Sequence, residues 1–428
     1  MTSELITGIS ELTTLDAPLH DANIAPVLHD AAIVIDDGLI AWVGPAAHAP
    51  AADRHTDLEG RAVLPGWVDS HTHLVFDGDR SAEFAARMAG ESYQAGGISV
   101  TTDATRSASD DRLDALITAR IDEARRGGTT YIETKTGYGL SIDQEARAAR
   151  IASRHADEVT FLGAHLVPDG QDADLYTEDV AGPMLDAVIT AAGESGGSRL
   201  FWADVFCERG AFNETQSHRV LTAAKAAGLG LRVHGNQLGP GPGVRLAVEC
   251  GAASVDHVNY LSDGDVDALA GSGGGHAADG ARAQPGWETV ATVLPACDLS
   301  TRAPLAPARR LLDAGVSIAL ASNCNPGTSY TTSMSFCVST AVLQMGLSIA
   351  EAVAAATLGG ARALRRDAES LAARTHPGPE QTWAPIGRIT PGHRADLHVL
   401  NAPAAIHLAY RPGMPMTHSV WRAGERIV

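Results

Sequence analysis

The amino-acid sequence predicts an α/β fold in which a TIM-type (β/α)8 barrel is joined to a small β-sandwich domain formed by the N- and C-terminal segments. Three observations lead to this expectation: the chain is long, its middle alternates apolar runs with helical patterns, and both of its ends are rich in short β-type runs. At 428 residues the chain is too long for one small core, which favours a large domain plus a smaller one. We place the sandwich at 1–64 and 386–428 and the barrel at 65–385.

The two chain ends share the same pattern. Up to about Leu64 the chain has short β-type runs, AAIVIDDGLIAWVG among them, that are broken by Gly, Pro and Asp turns. Near the other end, IGRITPGHRADLHVLNA and HSVWRAGERIV have the same character. Two β-rich ends on either side of a different middle indicate that the termini meet in one small sandwich.

The middle of the chain contains eight strand candidates, with amphipathic stretches such as DDRLDALITARIDEARRGG between them. The candidates are GWVDSHTHLVF from Gly66, TTYIETK from Thr129, EVTFLGAH from Glu158, LFWADVF from Leu200, LGLRVHG from Leu229, ASVDHV from Ala253, TVATVLP from Thr289 and VSIALAS from Val316. Strands that alternate with helices imply βαβ units and a parallel sheet. Eight such units predict the barrel, with a doubly wound open sheet as the alternative.

One stretch of the middle has no apolar periodicity. The segment 271–286, GSGGGHAADGARAQPG, is rich in Gly and Ala and stands before the seventh strand candidate. We interpret it as a flexible surface insertion, with a mobile active-site lid as the alternative.

The composition limits the partners and the compartment. Hydrophobic residues make up 45% of the chain and charged residues 19%, as in ordinary globular proteins, and no apolar run approaches the roughly eighteen residues of a membrane span. The formal charge of −19 argues against nucleic acid, because phosphate binding needs clustered cations. The N-terminus lacks a secretory pattern, and the five cysteines form no C-x-x-C pair, which suits reduced thiols. We therefore expect a cytoplasmic homodimer whose partner is a small-molecule substrate.

Histidines recur where the predicted strands end. His71 and His73 are two apart on one strand, so both imidazoles point to one face and can reach one ion. His165, His234 and His257 follow other strands, and the carboxyl ends of barrel strands share one rim. A site of His71, His73 and His234 with open positions is the arrangement of a catalytic ion. Such an ion lowers the pKa of water and polarises a carbonyl oxygen, which serves the hydrolysis of an amide.

Seven motifs occur in order along the predicted barrel. They are PGWVDSHTHLVFDGDRSAEF, ETKTGYGL, TFLGAHLVP, VFCERGAF, LRVHGNQL, ASVDHVNYL and SNCNPGTSYTTSM. From about Pro65 to Arg365 the chain resembles the imidazolonepropionases, the histidine-degradation enzymes of the amidohydrolase superfamily. The resemblance implies hydrolysis of 4-imidazolone-5-propanoate to N-formimidoyl-L-glutamate with one bound zinc or iron ion. Since H-x-H is shared by related enzymes, the alternative is another cyclic amidase or deaminase of the superfamily.

The resemblance also implies roles for individual residues. The metal histidines fall on His71, His73 and His234. The substrate-binding positions fall on Arg80, Tyr93, Tyr138, His165, Gln237, Asn325, Gly327 and Thr328. Arg80 can hold a propionate carboxylate through its planar guanidinium, and the Gly327–Thr328 backbone with Asn325 can offer neutral hydrogen bonds. Lys135 is expected to have a structural or supporting role, because the resemblance is to a one-metal family.

Two positions depart from the family pattern. Asn323 stands where the family carries a metal-binding Asp, and Gln237 stands where many members carry a proton-transferring Glu. An amide oxygen can coordinate a metal but cannot act as a base, so we expect Asn323 as the fourth ligand. We expect His257, His165 and Gln237 to form the catalytic group, in which His257 moves protons and His165 stabilises the oxyanion, while Asp256 points to the opposite face. The alternative is a catalytically impaired relative that binds ligand.

Overall fold

The structure, a computed structural model, describes residues 3–16, 27–90, 97–194, 199–272, 287–373 and 384–428. The strands are β1 (Glu4–Thr13), β2 (Val27–Asp36), β3 (Leu39–Pro45), β4 (Arg54–Pro65), β5 (Trp67–Asp69), β6 (Thr129–Lys135), β7 (Glu158–Ala164), β8 (Leu200–Cys207), β9 (Gly230–Gly235), β10 (Ser254–His257), β11 (Val290–Val293), β12 (Ile318–Leu320), β13 (Leu397–Leu400), β14 (Thr417–Arg422) and β15 (Glu425–Arg426). They form two sheets, one parallel and one mixed.

The helices surround the parallel sheet. They are α1 (Ser81–Met88), α2 (Ile98–Ser107), α3 (Asp110–Arg126), α4 (Ile142–His155), α5 (Ala173–Asp179), α6 (Leu185–Gly193), α7 (Glu214–Ala226), α8 (Gly243–Cys250), α9 (Asp263–Ser272), α10 (Pro295–Thr301), α11 (Ala308–Asp313), α12 (Met334–Gln344), α13 (Ile349–Ala354), α14 (Gly360–Ala363), α15 (Ala368–Ala372) and α16 (His407–Tyr410). Short π-helical segments, Val180–Met184 and Ala355–Gly359, join α5 to α6 and α13 to α14. The long α3 shows how they pack: Leu113, Ile117 and Ile121 recur every fourth residue and form its buried stripe.

Strands β5 to β12 form a parallel sheet in which each strand lies beside its neighbour in chain order. The two outer strands meet just beyond their ends, where Thr72 forms a parallel bridge with Cys324 and the His73 N–H donates to the Cys324 carbonyl at 2.9 Å. Strands β6 and β7 are buried throughout, as expected when helices cover one face and side chains fill the other. All eight strand candidates are present, and the predicted TIM-type barrel is confirmed over the open sheet.

The N- and C-terminal segments meet in the second sheet, whose strand order is β15-β14-β13-β4-β1-β2-β3. β13 pairs antiparallel with β4, with Val399 opposite Val63, so the two ends of the chain are hydrogen-bonded together. Ile6, Leu397 and Trp421 belong to one apolar cluster built from both segments. The predicted union of the termini is therefore confirmed, and hydrogen bonds join all seven strands into one mixed sheet around that cluster.

Most of the Gly- and Ala-rich segment 271–286 lies outside the described residues. Gly271 and Ser272 close α9, while 273–286 is not described. The two interpretations of this segment, surface insertion and lid, therefore stay predictions. Across the described part of the chain, the helices lack the combination of length and apolar character that a membrane span requires.

A buried histidine joins the two sheets and makes acid stability a test of their packing. His398 on β13 packs edge-on against Trp67 of the barrel, with 5.0 Å between the ring centroids, and its ring also lies against Gly128. Its Nε2 is 2.9 Å from the Thr417 hydroxyl, and its Nδ1 has no partner among the described residues. Burial lowers the pKa of His398 to about 3.

The first prediction concerns the pH dependence of the unfolding free energy. An unfolded histidine takes up a proton below about pH 6.5, whereas His398 in the folded chain stays neutral until about pH 3. Because the unfolded state binds this proton first, the unfolding free energy is unaffected by His398 above about pH 6.5 and decreases as the pH falls below it. Between pH 7 and pH 5 the parent should lose about 2 kcal/mol more than His398→Phe. Urea unfolding at both pH values measures this difference. His48→Phe, at an exposed position, should lose as much unfolding free energy as the parent. If His398→Phe lost as much as the parent too, His398 would not be the source of the pH dependence.

Candidate active site

His71, His73 and His234 meet at the carboxyl-terminal end of the barrel. His71 and His73 follow β5 and His234 lies on β9, and their ligand atoms all lie within 4.8 Å of one another. All three side chains are buried. His71 Nε2, His73 Nδ1 and both ring nitrogens of His234 lack hydrogen-bond partners among the described residues. Because buried polar atoms are costly when unpartnered, this donor set fits a metal ion such as zinc, which takes imidazole nitrogen.

Burial keeps two of these imidazoles, those of His71 and His73, neutral. Together with the positive charge of Lys135, it lowers the pKa of His71 to about 3. Burial and the neighbouring His71 and His234 lower the pKa of His73 well below its usual value. A neutral imidazole keeps the lone pair that a metal needs, so His71 and His73 require no deprotonation at neutral pH to bind an ion.

Two buried carboxylates lie behind the histidines. His71 Nδ1 donates to Asp256 Oδ2 at 2.7 Å, which leaves Nε2 of the same ring for a metal. Asp204 Oδ2 lies 3.0 Å from His234 Nδ1 but outside hydrogen-bond alignment. In both pairs a carboxylate oxygen lies next to Nδ1 of the histidine and helps to orient the ring. Although burial disfavours its charge, the nearby His234 and Lys135 lower the pKa of Asp204 below its usual value.

Two buried cations balance these carboxylates. Lys135 Nζ lies 2.9 Å from Glu133 Oε1 and 3.1 Å from Asp204 Oδ2. Arg232 Nη2 lies 3.3 Å from Asp256 Oδ2. Each of these five side chains is almost fully buried, and a buried charge is tolerated only when it is paired and hydrogen-bonded. Lys135 therefore supports the histidines through Asp204, in keeping with the supporting role expected for it.

Two residues at this rim have positive φ angles, which change the direction of their side chains. His257, the last residue of β10, has φ +84°, and Asn323, just after β12, has φ +52°. Such angles are uncommon for residues other than glycine and occur where the surrounding structure requires them. Strand alternation therefore fails at His257: Asp256 bonds His71 inside the barrel, and His257 still lines the cavity next to it. The expectation that Asp256 points to the opposite face is wrong for this reason.

Asn323 faces the same centre. Its Oδ1 is buried without a hydrogen-bond partner in the described ranges, and its backbone N–H donates to the His71 carbonyl at 2.9 Å. An unpartnered amide oxygen beside unpartnered imidazole nitrogens is suited to a neutral fourth ligand. Whether Asn323 ligates an ion stays a prediction.

A small cavity of about 30 Å³ adjoins the centre and is lined by two of its three histidines, His73 and His234. Its lining comprises His73, Arg80, Ile98, Tyr138, His165, Phe206, His234, Gln237, His257, Asn323, Asn325 and Thr328. Most of the residues singled out from the sequence therefore lie together, and Ile98 and Phe206 are additions. Gly327 lies behind Arg80 and not in this lining, and Tyr93 lies outside the described residues.

His165 has a defined tautomer at the cavity wall. Its Nδ1 is 2.8 Å from the Gly137 carbonyl, which can only accept, so Nδ1 carries the proton. Burial lowers the pKa of His165 to about 4, and the neutral ring then has Nε2 as an acceptor. This tautomer favours acceptance of a ligand N–H over the oxyanion contact that we expected.

Arg80 reaches the cavity through a close approach to Gly327. Its Nε donates to Glu83 Oε2 at 2.7 Å and its Nη2 donates to Glu83 Oε1 at 2.9 Å. A Cβ placed on Gly327 would lie 2.2 Å from Arg80 Nη1, so a side chain at position 327 would displace the guanidinium. Glu83 thus binds one edge of the Arg80 guanidinium, and Gly327, which has no side chain, leaves room for the opposite edge.

Asn325 organises the turn that follows β12. Its Oδ1 accepts from the backbone N–H of Gly327 at 2.9 Å and of Thr328 at 2.8 Å, and its Nδ2 donates to the Asn323 carbonyl at 2.7 Å. These backbone donors are used inside the turn, so in this arrangement they are not offered to a carboxylate as expected. Asn325 instead positions Asn323 and Thr328 at the cavity.

Sequence reasoning missed Asp204 and Arg232 behind the site and wrongly turned Asp256 away from it. Asp204, Arg232 and Asp256 stand inside apolar strands, and that position was an available signal, because a charge there must face the interior and be paired. Glu208 was also missed: its Oε1 accepts the backbone N–H of Gln237, which fixes the segment that brings this side chain to the cavity.

The relatives of this chain agree with the motifs. A family profile described as "Amidohydrolase family" matches residues 62–375. The imidazolonepropionase of Arthrobacter sp. (strain FB24) is 64% identical over 424 residues, which cover 99% of each chain. That of Micrococcus luteus is 63% identical over 433 residues and covers 100% of each chain.

Solved structures share the fold at lower identity. An adenosine deaminase from Xanthomonas campestris with bound zinc has a TM-score of 0.67 and 19% identity, over 99% of this chain and 92% of that chain. Atrazine chlorohydrolase TrzN from Arthrobacter aurescens TC1, complexed with zinc, has a TM-score of 0.70 and 18% identity, over 99% and 95% of the two chains. At this identity the likeness is one of fold alone, whereas the full-length relatives are decisive. The chain belongs to the imidazolonepropionase family of the amidohydrolases.

Proposed function

We propose that this chain hydrolyses 4-imidazolone-5-propanoate to N-formimidoyl-L-glutamate in histidine degradation, using one bound zinc or iron ion. One observation carries the proposal: His71, His73 and His234 each have a buried ring nitrogen without a partner among the described residues, and they stand beside a cavity that also holds a buried guanidinium. The first feature suits hydrolysis of an amide, and the second suits a substrate that bears a carboxylate. The full-length imidazolonepropionase relatives support the same reaction.

His71, His73 and His234 would hold the ion, with the Asn323 oxygen as the fourth protein ligand. When bound, zinc or iron polarises the ring carbonyl and makes a nearby water molecule more acidic. Asp256 leaves Nε2 of His71 unprotonated for the metal, because its carboxylate accepts a hydrogen bond from Nδ1 and so holds the ring proton there.

His257 is the proposed proton carrier. It is buried, lines the cavity and has an unpartnered Nδ1, and burial with the neighbouring His234 lowers its pKa well below the usual value. It is therefore neutral and able to take a proton from water as the water oxygen bonds to the ring carbonyl carbon. The carbon–nitrogen bond then breaks, and the same proton passes to the departing ring nitrogen, so the net change is the addition of one water. Gln237 cannot carry that proton and instead orients the ring through its amide.

The cavity walls provide separate contacts for the two parts of the substrate. Arg80 is the proposed partner of the propionate carboxylate, and Glu83 keeps its guanidinium oriented. His165 accepts a ring N–H at Nε2, and Tyr138 packs beside it with 5.5 Å between the ring centroids. Asn325, Gly327 and Thr328 shape the wall, and Tyr93 stays a predicted contact. These roles rest on the geometry described above and on the family resemblance.

The second prediction tests the carboxylate contact. In Arg80→Lys a compact ammonium cannot serve Glu83 and a substrate carboxylate with one planar group, so KM should rise and kcat/KM should fall by roughly 10–100-fold. Steady-state kinetics on the metal-loaded protein measure the change. Arg112→Lys is the matched control, because Arg112 is an exposed arginine that pairs with Asp77. Unchanged kinetics in Arg80→Ala would remove this residue from the substrate site.

A single assay tests the proposed function itself. Purified protein is analysed for zinc and iron and is then given freshly generated imidazolone propionate, with formation of N-formimidoyl-L-glutamate as the readout. Turnover that scales with metal content supports the proposal. Absence of turnover in fully loaded protein, together with turnover on another cyclic amide or on a deaminase substrate, would replace it with that activity.

We further propose that the chain is a cytoplasmic homodimer. Its two domains are the β-sandwich domain of 1–64 and 386–428 and the barrel of 65–385. The five cysteines, all free thiols, support a reducing compartment. Phe84, Leu299 and Phe336 are exposed apolar side chains that line one groove and support burial against a second copy. Sedimentation of the full chain tests the dimer, and limited proteolysis tests the boundaries.

A further inference from the structure

A second group of ligating side chains lies beside the proposed active site. His257, Cys297 and Asp298 are buried, and each offers a ligand atom within 4.8 Å of the others. His257 ends β10, while Cys297 and Asp298 lie in the first turns of the neighbouring α10. None of the three belongs to the three-histidine centre. We propose that His257, Cys297 and Asp298 form a second, inhibitory site for one thiophilic divalent cation such as Zn²⁺ or Cd²⁺.

The donor set suits such an ion in kind and in spacing. Thiolate, imidazole and carboxylate are all zinc ligands, and tetrahedral bonds of normal length put ligand atoms roughly 3.3–3.5 Å apart. Atoms already within 4.8 Å of one another reach that spacing through side-chain adjustments of about 1 Å. Two of the three ligands become anionic on binding, which offsets the charge of the cation. The thiol proton of Cys297 is released to solvent as the sulfur–metal bond forms.

The surroundings leave ligand capacity on His257 and Asp298. Nδ1 of His257 is buried without a partner in the part of the chain that the structure describes. Asp298 is held in place by Asn259 Nδ2 at 2.7 Å and by the Ala306 N–H at 3.1 Å, each on a different oxygen. A carboxylate oxygen accepts more than one contact, so these bonds orient Asp298 without blocking it.

A second cavity gives access to this site. It is lined by Cys297 and Asp298 and borders the active-site cavity at Gln237, which lines both. A cation that enters there reaches the two side chains without passing the three histidines. Once bound, it occupies the imidazole of His257, the group to which we assign proton transfer. Inhibition therefore follows from loss of the proton carrier and leaves the first metal in place.

The test uses full-length protein that holds one zinc ion per chain. Further Zn²⁺ should bind as a second equivalent and lower the hydrolysis rate, and Cd²⁺ should give the ultraviolet charge-transfer band of a cadmium–thiolate bond. In Cys297→Ser and in Asp298→Asn the half-inhibiting Zn²⁺ concentration, relative to the uninhibited rate of each variant, should rise at least ~10-fold. The band should disappear in Cys297→Ser. Cys250→Ser, which removes a half-buried thiol on α8, should match the parent in both measurements.

Several results would overturn the proposal. Inhibition that is equal in the parent, Cys297→Ser and Asp298→Asn would place the inhibitory ion elsewhere, including at the three histidines. A parent that shows no cadmium–thiolate band would exclude Cys297 without recourse to any variant. Binding stoichiometry and the band do not require turnover, so they separate a failure of this site from a failure of the proposed reaction.

Discussion

His71→Ala and His73→Ala should each lose bound metal and hydrolytic activity together. Each substitution leaves two of the three imidazole donors, and the Asn323 oxygen cannot replace an imidazole. The metal affinity should fall by more than the roughly 10–100-fold that loss of an outer hydrogen-bond partner costs. Elemental analysis after gel filtration and a rate assay on the same sample measure both quantities. This joint loss of metal and activity should exceed the fall in kcat expected for His257→Ala.

The control for this experiment separates metal loss from unfolding. His29→Ala removes an exposed histidine of the terminal sheet, so its metal content and rate should match the parent. Circular dichroism of the barrel variants should match the parent as well, since the eight strands do not depend on these imidazoles for their hydrogen bonds. Stoichiometric metal in the double variant His71→Ala/His73→Ala would place the ion elsewhere.

His257→Ala should lower kcat roughly 10²–10⁴-fold if this residue moves the proton. Its imidazole is a neutral, cavity-lining base whose ring centroid lies 5.4 Å from that of His234, and Asn323 and Gln237 are amides that cannot accept a proton in its place. In an active parent, Asn323→Asp should tighten metal binding and change kcat only modestly, because it adds a charged ligand but no missing base. kcat is measured for parent and variants at equal metal loading.

A parent with a much lower kcat than Asn323→Asp would identify the chain as a catalytically impaired member of the family. If the amide at position 323 disables the chain, the parent should be near background and Asn323→Asp should switch on turnover. Asn323 lies at φ +52°, and Asp tolerates that region nearly as well as Asn, so the substitution tests chemistry with little backbone strain. A robust parent whose rate is unchanged in His257→Ala would refute the proton route.

The sequence by itself determined the architecture and the residue types of the centre. β6 and β7 match their predicted segments because β-branched, aromatic and aliphatic residues predominate in both and turn residues bound them. His71 and His73 could be predicted to lie together because residues two apart share a face, and His234 to join them because strand ends in a barrel share a rim. These inferences need only local periodicity and a general property of the fold.

Only the tertiary structure decided how that centre is supported. The bond between His71 and Asp256 joins residues 185 apart, and no local pattern encodes such a pairing. The positive φ of His257 overrode the strand alternation that had turned Asp256 away from the site. In the turn organised by Asn325, the backbone N–H groups of Gly327 and Thr328 donate to the Asn325 side chain, although we had predicted them to bind a substrate. In each case the deciding interaction is a contact between side chain and backbone, or between distant strands, whose energy exists only once the barrel has closed around it.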